Sequence, residues 1–223
     1  MKRKITCFCD NTFEADIPEE IDLDSQSGYL DEIQNGSFFL FSCPSCGKKH
    51  KPEFPLTVLW PSKKLQFEVF PELDRGEFYR RKKTPAVKGP NKLETLIGYP
   101  EMADRLAVIR EGFDPVAVEA IKYFLHVKAE EQYPEDELNI WYYGSSGQAE
   151  QSSGEQRSGG QSSLEFHIHG IRKDEVAVMK VPLSVYQKTL DDYKKNPKDE
   201  LFGALRVRTY LSVKNTMLPE VYK

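Results

Sequence analysis

The sequence predicts an α+β protein: a small β-rich unit at the amino end, a helical middle, and a carboxyl-terminal antiparallel sheet with one helix. Three observations predict it. All four cysteines fall in two close pairs near the amino end, Cys7-Phe8-Cys9 and then, thirty-three residues later, Cys43-Pro44-Ser45-Cys46. Apolar residues alternate with period two after the second pair and again in the last third of the chain, as half-buried strands require. Between these regions, two helix openings stand in succession, Pro100 and Asp114-Pro115, each followed by apolar residues at helical spacing.

Size and composition bound the function. The chain has 223 residues, enough for one large domain or two small ones. It is 39% hydrophobic, 12% aromatic and 30% charged, a globular balance, and no stretch approaches the roughly 18 apolar residues of a membrane span. A net charge of −4 argues against general polyanion binding across the surface and leaves room for a local basic groove. The first residues, Met1 to Cys7, contain no apolar run of the kind used for export, so a cytoplasmic location is expected.

Two close cysteine pairs from separated segments supply four soft thiolates, the ligand set of a closed tetrahedral zinc site. We therefore read Cys7, Cys9, Cys43 and Cys46 as ligands of one structural Zn2+ and the region as zinc-ribbon-like. Gly47, directly after Cys46, gives the second pair a residue free to take positive φ as the chain turns beneath the metal. The first pair needs more distortion. In an extended strand, residues two apart sit about 7 Å apart, too far for sulfurs on bonds of about 2.3 Å. The segment from Cys7 to Cys9 should be bent, with Asp10-Asn11 as the turn. Four thiolates on a divalent ion leave excess negative charge, and the flanks are basic: Lys2, Arg3 and Lys4 before the first pair, Lys48, Lys49, His50 and Lys51 after the second. Disulfides and free buried thiols are the competing readings. Disulfides require an oxidising compartment, and a Cys7–Cys9 bridge would close a very tight ring.

The elements follow in order. Tyr29, Leu30 and Ile33 predict a short amphipathic helix stopped by Asn35-Gly36. Phe38 to Ser42 read as a buried strand entering the second cysteine pair. Leu56, Val58 and Trp60, then Leu65, Phe67 and Val69, make a hairpin about a turn at Pro61 to Lys64. The amino-terminal unit is placed at 1–71. Residues 72–92 are polar and basic, with Arg80, Arg81, Lys82 and Lys83, and read as an exposed connector. Residues 93–133 form the helical segment: one helix with Met102, Leu106 and Ile109, and one capped by Asp114 that buries Ile121, Phe124 and Leu125. Neither shows a distinctive polar constellation.

The last segment, 134–223, has strands at Leu138 to Tyr143, Leu164 to Ile171, Val176 to Val181 and Leu205 to Val213. Ser184 and Gln187 read as a capping box for a helix carrying Tyr186, Leu190 and Tyr193, which Asn196-Pro197 stops. From 144 to 163, sixteen of twenty residues are Gly, Ser or Gln, the composition of a mobile loop between neighbouring strands.

Candidate chemistry outside the cysteines is sparse. His167 and His169 lie two apart on one strand, so both rings project from the face opposite Leu164, Phe166 and Ile168. An enzymatic centre there needs a carboxylate that the sequence does not identify, and two polar residues on a wet sheet face is the favoured reading. His50 follows Cys46 by four residues, but four thiolates already complete a coordination sphere. His126 reads as a helix-edge residue, and Trp60 and Trp141 as packing residues. Lys48, Lys49, Lys51 and the Arg80 to Lys83 run would suit a nucleic-acid face. A solvated surface is preferred, because no aromatics interleave with these basic residues in sequence. A thiol redox switch is the third reading; similar spacing occurs in a zinc-centred chaperone switch, whose cysteines lie at the opposite end of the chain.

The segments Ile5-Thr6-Cys7, Asn35-Gly36-Ser37-Phe38, Phe41-Ser42-Cys43-Pro44-Ser45-Cys46-Gly47, Glu53-Phe54-Pro55-Leu56 and Pro71-Glu72 together resemble the CpXC family of bacterial and archaeal proteins. The resemblance covers the first third to half of the chain. The family is functionally uncharacterised, so it implies a metal site and no activity. Cys43 to Cys46 matches its motif; Cys7 to Cys9 departs from it, with one fewer spacer and Phe8 where proline is usual. The function expected is a cytoplasmic, bacterial zinc-binding protein serving as a binding or interaction module, with a protein as its partner and no membrane association.

Overall fold

The computed structural model of the protein describes residues 2–80, 89–133, 137–146, 162–171 and 175–218. The chain forms two compact units, Met1–Ala103 and Asp104–Lys223.

The first unit begins with two small hairpins on either side of a helix. Strands β1 (Lys2–Thr6) and β2 (Thr12–Asp16) pair antiparallel. After β3 (Glu20–Asp22) comes α1 (Gly28–Asn35), which ends as the sequence predicts: Gly36 takes φ +79° and its N–H returns to the Ile33 carbonyl. The second hairpin is β4 (Phe41–Ser42) with β5 (Lys49–His50). The longer strand expected from Phe38 onward does not form. Neighbours on a strand face opposite sides, whereas Phe38 and Phe39 are both buried, their rings stacked 4.0 Å apart. The chain achieves this by turning, with Phe39 at φ +51°.

The predicted hairpin of β6 (Leu56–Trp60) and β7 (Leu65–Phe70) is present, joined by a 3-10 turn at Pro61–Lys63 and Lys64 at φ +55°. Within this unit the strands run in the order β8-β7-β6-β3, where β8 (Lys92–Ile97) lies parallel to β7, and β3 lies parallel to β6. Strand β8 went unread in the sequence. Part of the stretch expected as an exposed connector is also folded: α2 (Arg75–Arg80) buries Phe78. Arg81, Lys82 and Lys83 lie outside the described residues.

The division between units falls inside α3 (Tyr99–Arg110). In α4 (Pro115–Glu130) the Asp114 carboxylate accepts hydrogen bonds from the backbone N–H groups of Val116 and Ala117, so the cap forms as predicted. Strands β9 (Asn139–Ser146), β10 (Ser163–His169) and β11 (Val176–Pro182) form a three-stranded antiparallel sheet in the order β11-β10-β9. Its inner face buries Ile140, Tyr142, Leu164, Phe166, Ile168 and Val181 in one cluster with Val118 and Ile121 of α4. The Gly/Ser/Gln stretch joins the paired strands β9 and β10, and its residues 147–161 lie outside the described ones.

Two expectations are corrected here. Helix α5 (Leu183–Lys195) starts directly from β11 with Pro182 at the cap position and no side-chain cap, so the Ser184–Gln187 capping box does not form. The Gln187 side chain donates to Asp191 instead, and Asn196 ends the helix as predicted. After α6 (Glu200–Ala204), the strand expected over Leu205 to Val213 is a tight hairpin of β12 (Arg206–Val207) and β13 (Tyr210–Leu211). Arg208 at φ +56° makes the turn, and the buried Asn215 amide donates to the Leu205 and Tyr210 carbonyls.

Helices α3 and α4 also carry a polar constellation that was not read in the sequence. Asp104, Arg105, Glu119 and Lys122 are all buried. The Lys122 ammonium lies 2.5 Å from Asp104 and 2.8 Å from Glu119, and Arg105 reaches Glu119 at 3.3 Å. Backbone groups add three further hydrogen bonds. Tyr142 N–H donates to Asp104, Val213 N–H donates to Glu119, and Arg105 donates to the Leu211 carbonyl. Two cations and two carboxylates make the cluster formally neutral, the condition under which burial of charge is tolerable. Burial raises the Asp104 pKa. It works against Glu119 as well, but Lys122 and Arg105 outweigh it and hold that carboxyl below its usual value.

Candidate metal centre

The site is made from the tips of the two hairpins. At the first, the chain bends as the short Cys7–Cys9 spacing requires: Asp10 takes φ +64°, Asp10 N–H donates to the Cys7 carbonyl, and Cys7 N–H donates to the Asn11 carbonyl, both at 2.9 Å. At the second, Cys43 N–H donates to the Lys48 carbonyl and Gly47 N–H to the Cys43 carbonyl, with Gly47 at φ +71°. That is the positive φ its lack of a Cβ suits.

These turns bring the four sulfurs within 4.8 Å of one another. Cys7 Sγ and Cys46 Sγ are 3.5 Å apart, Cys9 Sγ and Cys43 Sγ 3.8 Å. A tetrahedron with metal–sulfur bonds of about 2.3 Å has edges of about 3.8 Å, so the four sulfurs can hold a single metal ion. Each hairpin contributes one buried and one exposed sulfur: Cys7 and Cys43 are buried, Cys9 and Cys46 exposed.

The two buried thiols, Cys7 and Cys43, differ in their hold on a proton. At Cys7 the Cys9 backbone N–H favours the thiolate, but burial and the neighbouring thiols outweigh it, and the pKa is pushed up to about 12. At Cys43 burial favours the thiol, yet the N–H groups of Cys46 and Ser45, with the thiols of Cys7 and Cys46, prevail and hold it at about 6. A metal entering the cluster must displace the protons that remain.

Two residues, one set aside as a ligand and one read only as part of a turn, support the sulfurs in a way the sequence did not show. His50 Nε2 lies 3.1 Å from Cys7 Sγ, and Asn11 Nδ2 lies 3.7 Å from Cys43 Sγ. His50 gets there because β5 pairs Lys49 and His50 with Ser42 and Phe41, which folds its ring back over the first hairpin, 5.6 Å from the ring of Phe8. Hydrogen bonds to metal-bound thiolates of this kind orient the ligands and disperse their charge. The only advance signal was a histidine close behind a cysteine pair.

The other three histidines belong to the second unit. His167 and His169 do project from the open face of β10, opposite the buried Leu164, Phe166 and Ile168. His167 stacks on Tyr143 at 4.0 Å and lies 3.2 Å from the Glu165 carboxylate, its neighbour on the same strand. His169 is exposed. His126 is buried on α4, 3.6 Å from Glu130.

The architecture defines an α+β protein whose two amino-terminal hairpins hold a four-cysteine cluster. The chain belongs to the CpXC protein family, whose sequence pattern matches residues 5–122. A protein of Treponema pallidum (strain Nichols), described as uncharacterized, is 27% identical over 234 residues, covering 95% of this chain and 97% of that protein. No solved structure matches. Among the described residues, no helix is long and apolar enough to cross a membrane.

Proposed function

We propose that the protein is an intracellular binding or interaction module whose amino-terminal unit is pinned by one structural zinc ion on Cys7, Cys9, Cys43 and Cys46. The observation that carries this reading is the convergence of four sulfurs from two hairpins within 4.8 Å. Four soft thiolates suit zinc, and with all four bound no position remains for a substrate, so the ion cross-links and does no chemistry. An enzymatic centre at His167 and His169 has less support, since the carboxylate beside His167 belongs to its own strand and the two rings lie on an open sheet face.

Elemental analysis of the purified protein tests the proposal, with an expected content of about one zinc per chain. Cys43→Ser should release the metal and unfold the amino-terminal unit, because metal binding there is folding free energy, apparent values being about 10–16 kcal/mol in small zinc peptides. A metal-free preparation that keeps the amide protection of the first unit refutes it.

A further inference from the structure

Beside the cysteine cluster lies a groove of about 460 Å³ lined by Lys4, Thr6, Phe8, Lys49, His50, Lys51 and Phe54 with the adjoining Ile5 and Pro52. No carboxylate lines it. Among the described residues, Lys4, Lys49 and Lys51 make no ion pair, in contrast to Lys2 and Arg3, which meet Glu14 and Glu19. Phe8 is 87% exposed at the tip of the first hairpin, with the His50 ring 5.6 Å away and the rest of its surface open to solvent. The absence of aromatics between basic residues weighs against nucleic acid in the sequence; folding puts them together, because Lys4, Lys49 and Lys51 line the same groove as Phe8 and His50.

We propose that this groove binds single-stranded nucleic acid, with phosphates on Lys4, Lys49 and Lys51 and a base stacked on Phe8. Cations alone would suit any anion, an acidic peptide included. An exposed ring beside them selects for a partner with a free π-face, which a single strand offers and a duplex, with its bases paired and stacked, does not. The local positive charge on a chain of net −4 concentrates that attraction at one place. The inference rests on the zinc reading in one respect, since Phe8 lies between two of the proposed ligands and the metal would fix its position.

The test is fluorescence anisotropy with full-length protein and a labelled single strand of about a dozen nucleotides, against a duplex and a poly-glutamate peptide, with zinc content measured on the same sample. Three phosphate contacts predict a slope of log affinity against log salt of about −2. Phe8→Ala should weaken binding about tenfold, and Lys49→Gln should make the slope shallower by about 0.7. Equal retention of the duplex or the peptide, or no effect of Phe8→Ala, overturns the proposal. So does loss of zinc in the lysine variants with strand binding unchanged, which would assign those lysines to balancing thiolate charge. Zinc-loaded protein that binds no strand defeats the groove alone, while folded zinc-free protein that binds the strand defeats the metal reading and sustains the groove.

Discussion

Lys122→Met puts the buried charge cluster to the test. Methionine keeps the length of the side chain and removes its charge, so packing changes little. What changes is the partner count. Lys122 is 3% exposed and serves two carboxylates, Asp104 at 2.5 Å and Glu119 at 2.8 Å. Without it Glu119 retains Arg105 at 3.3 Å, and Asp104 keeps only the Tyr142 N–H among these contacts. Removing one partner of a buried ion pair costs about 3–5 kcal/mol, because the charge left behind stays desolvated. Asp104 can recover part of that by taking up a proton. Its pKa already stands above the ordinary 3.8, and loss of Lys122 raises it further. A raised folded-state pKa stabilises fully below the unfolded value and progressively less as pH climbs toward the folded one. The deficit of the variant should therefore be smallest in acid, where this carboxyl is protonated in both proteins, and grow as pH rises through the wild-type folded value, which lies above 3.8. Urea unfolding reads it out. The chain has two tryptophans, Trp60 in the first unit and Trp141 in the second, so a Trp60→Phe background makes fluorescence report on the second unit alone. With a denaturant slope of about 1–3 kcal/mol/M, the midpoint should fall by about 1–5 M. A loss below about 1 kcal/mol, the range of exposed pairs, or a deficit independent of pH, would refute the account of this cluster as an interdependent unit.

Two further predictions are sharp. His50→Ala removes the ring nitrogen 3.1 Å from Cys7 Sγ and should lower metal affinity about 10- to 100-fold without unfolding the protein, measured by competition with a chromogenic chelator. Gly170→Ala should destabilise the β9–β10–β11 sheet by several kcal/mol: Gly170 sits at φ +102°, and an added Cβ would lie 2.2 Å from the Glu137 carbonyl oxygen. Thermal unfolding should show a loss well above the 1 kcal/mol typical of a substitution, and an unshifted midpoint would mean that the Glu137–Leu138 backbone moves freely.

The parts of the fold that could be read in the sequence are those whose cause is local. Asn35-Gly36 stops α1 because glycine takes positive φ, Asp114 caps α4 through its own next two N–H groups, and the β6–β7 alternation needs only a buried face. The cysteine cluster was legible for a related reason, since few residue types offer soft ligands and their spacing limits their geometry. The remainder depended on partners far along the chain. Phe38 and Phe39 leave the strand pattern because both rings gather on Tyr99, at 5.6 and 6.0 Å. Asp104, Arg105, Glu119 and Lys122 look like ordinary surface charges on a helix until Tyr142, Leu211 and Val213 arrive to satisfy them. His50 became part of the site only through β4–β5 pairing.

The amino-terminal hairpins and the second unit are held in order by different means. In the β1–β2 hairpin only Ile5 and Ala15 of the strand residues are buried, and in β4–β5 none is. Isolated two-stranded hairpins are marginal in water, so a cross-link between their tips stabilises where a core cannot. The second unit has two hydrophobic clusters and can accommodate four buried charges, where partner geometry fixes how α3 and α4 meet the backbone of Tyr142, Leu211 and Val213. A unit held at its tips by a metal need not bury the side chains that lie between the ligands. On the zinc proposal, this would account for Phe8 standing 87% exposed between Cys7 and Cys9, a position that a hairpin stabilised by packing would fill with a buried or polar residue. Under the zinc proposal, the cross-link that relieves Phe8 of a structural task would leave it available to the single strand proposed for the groove.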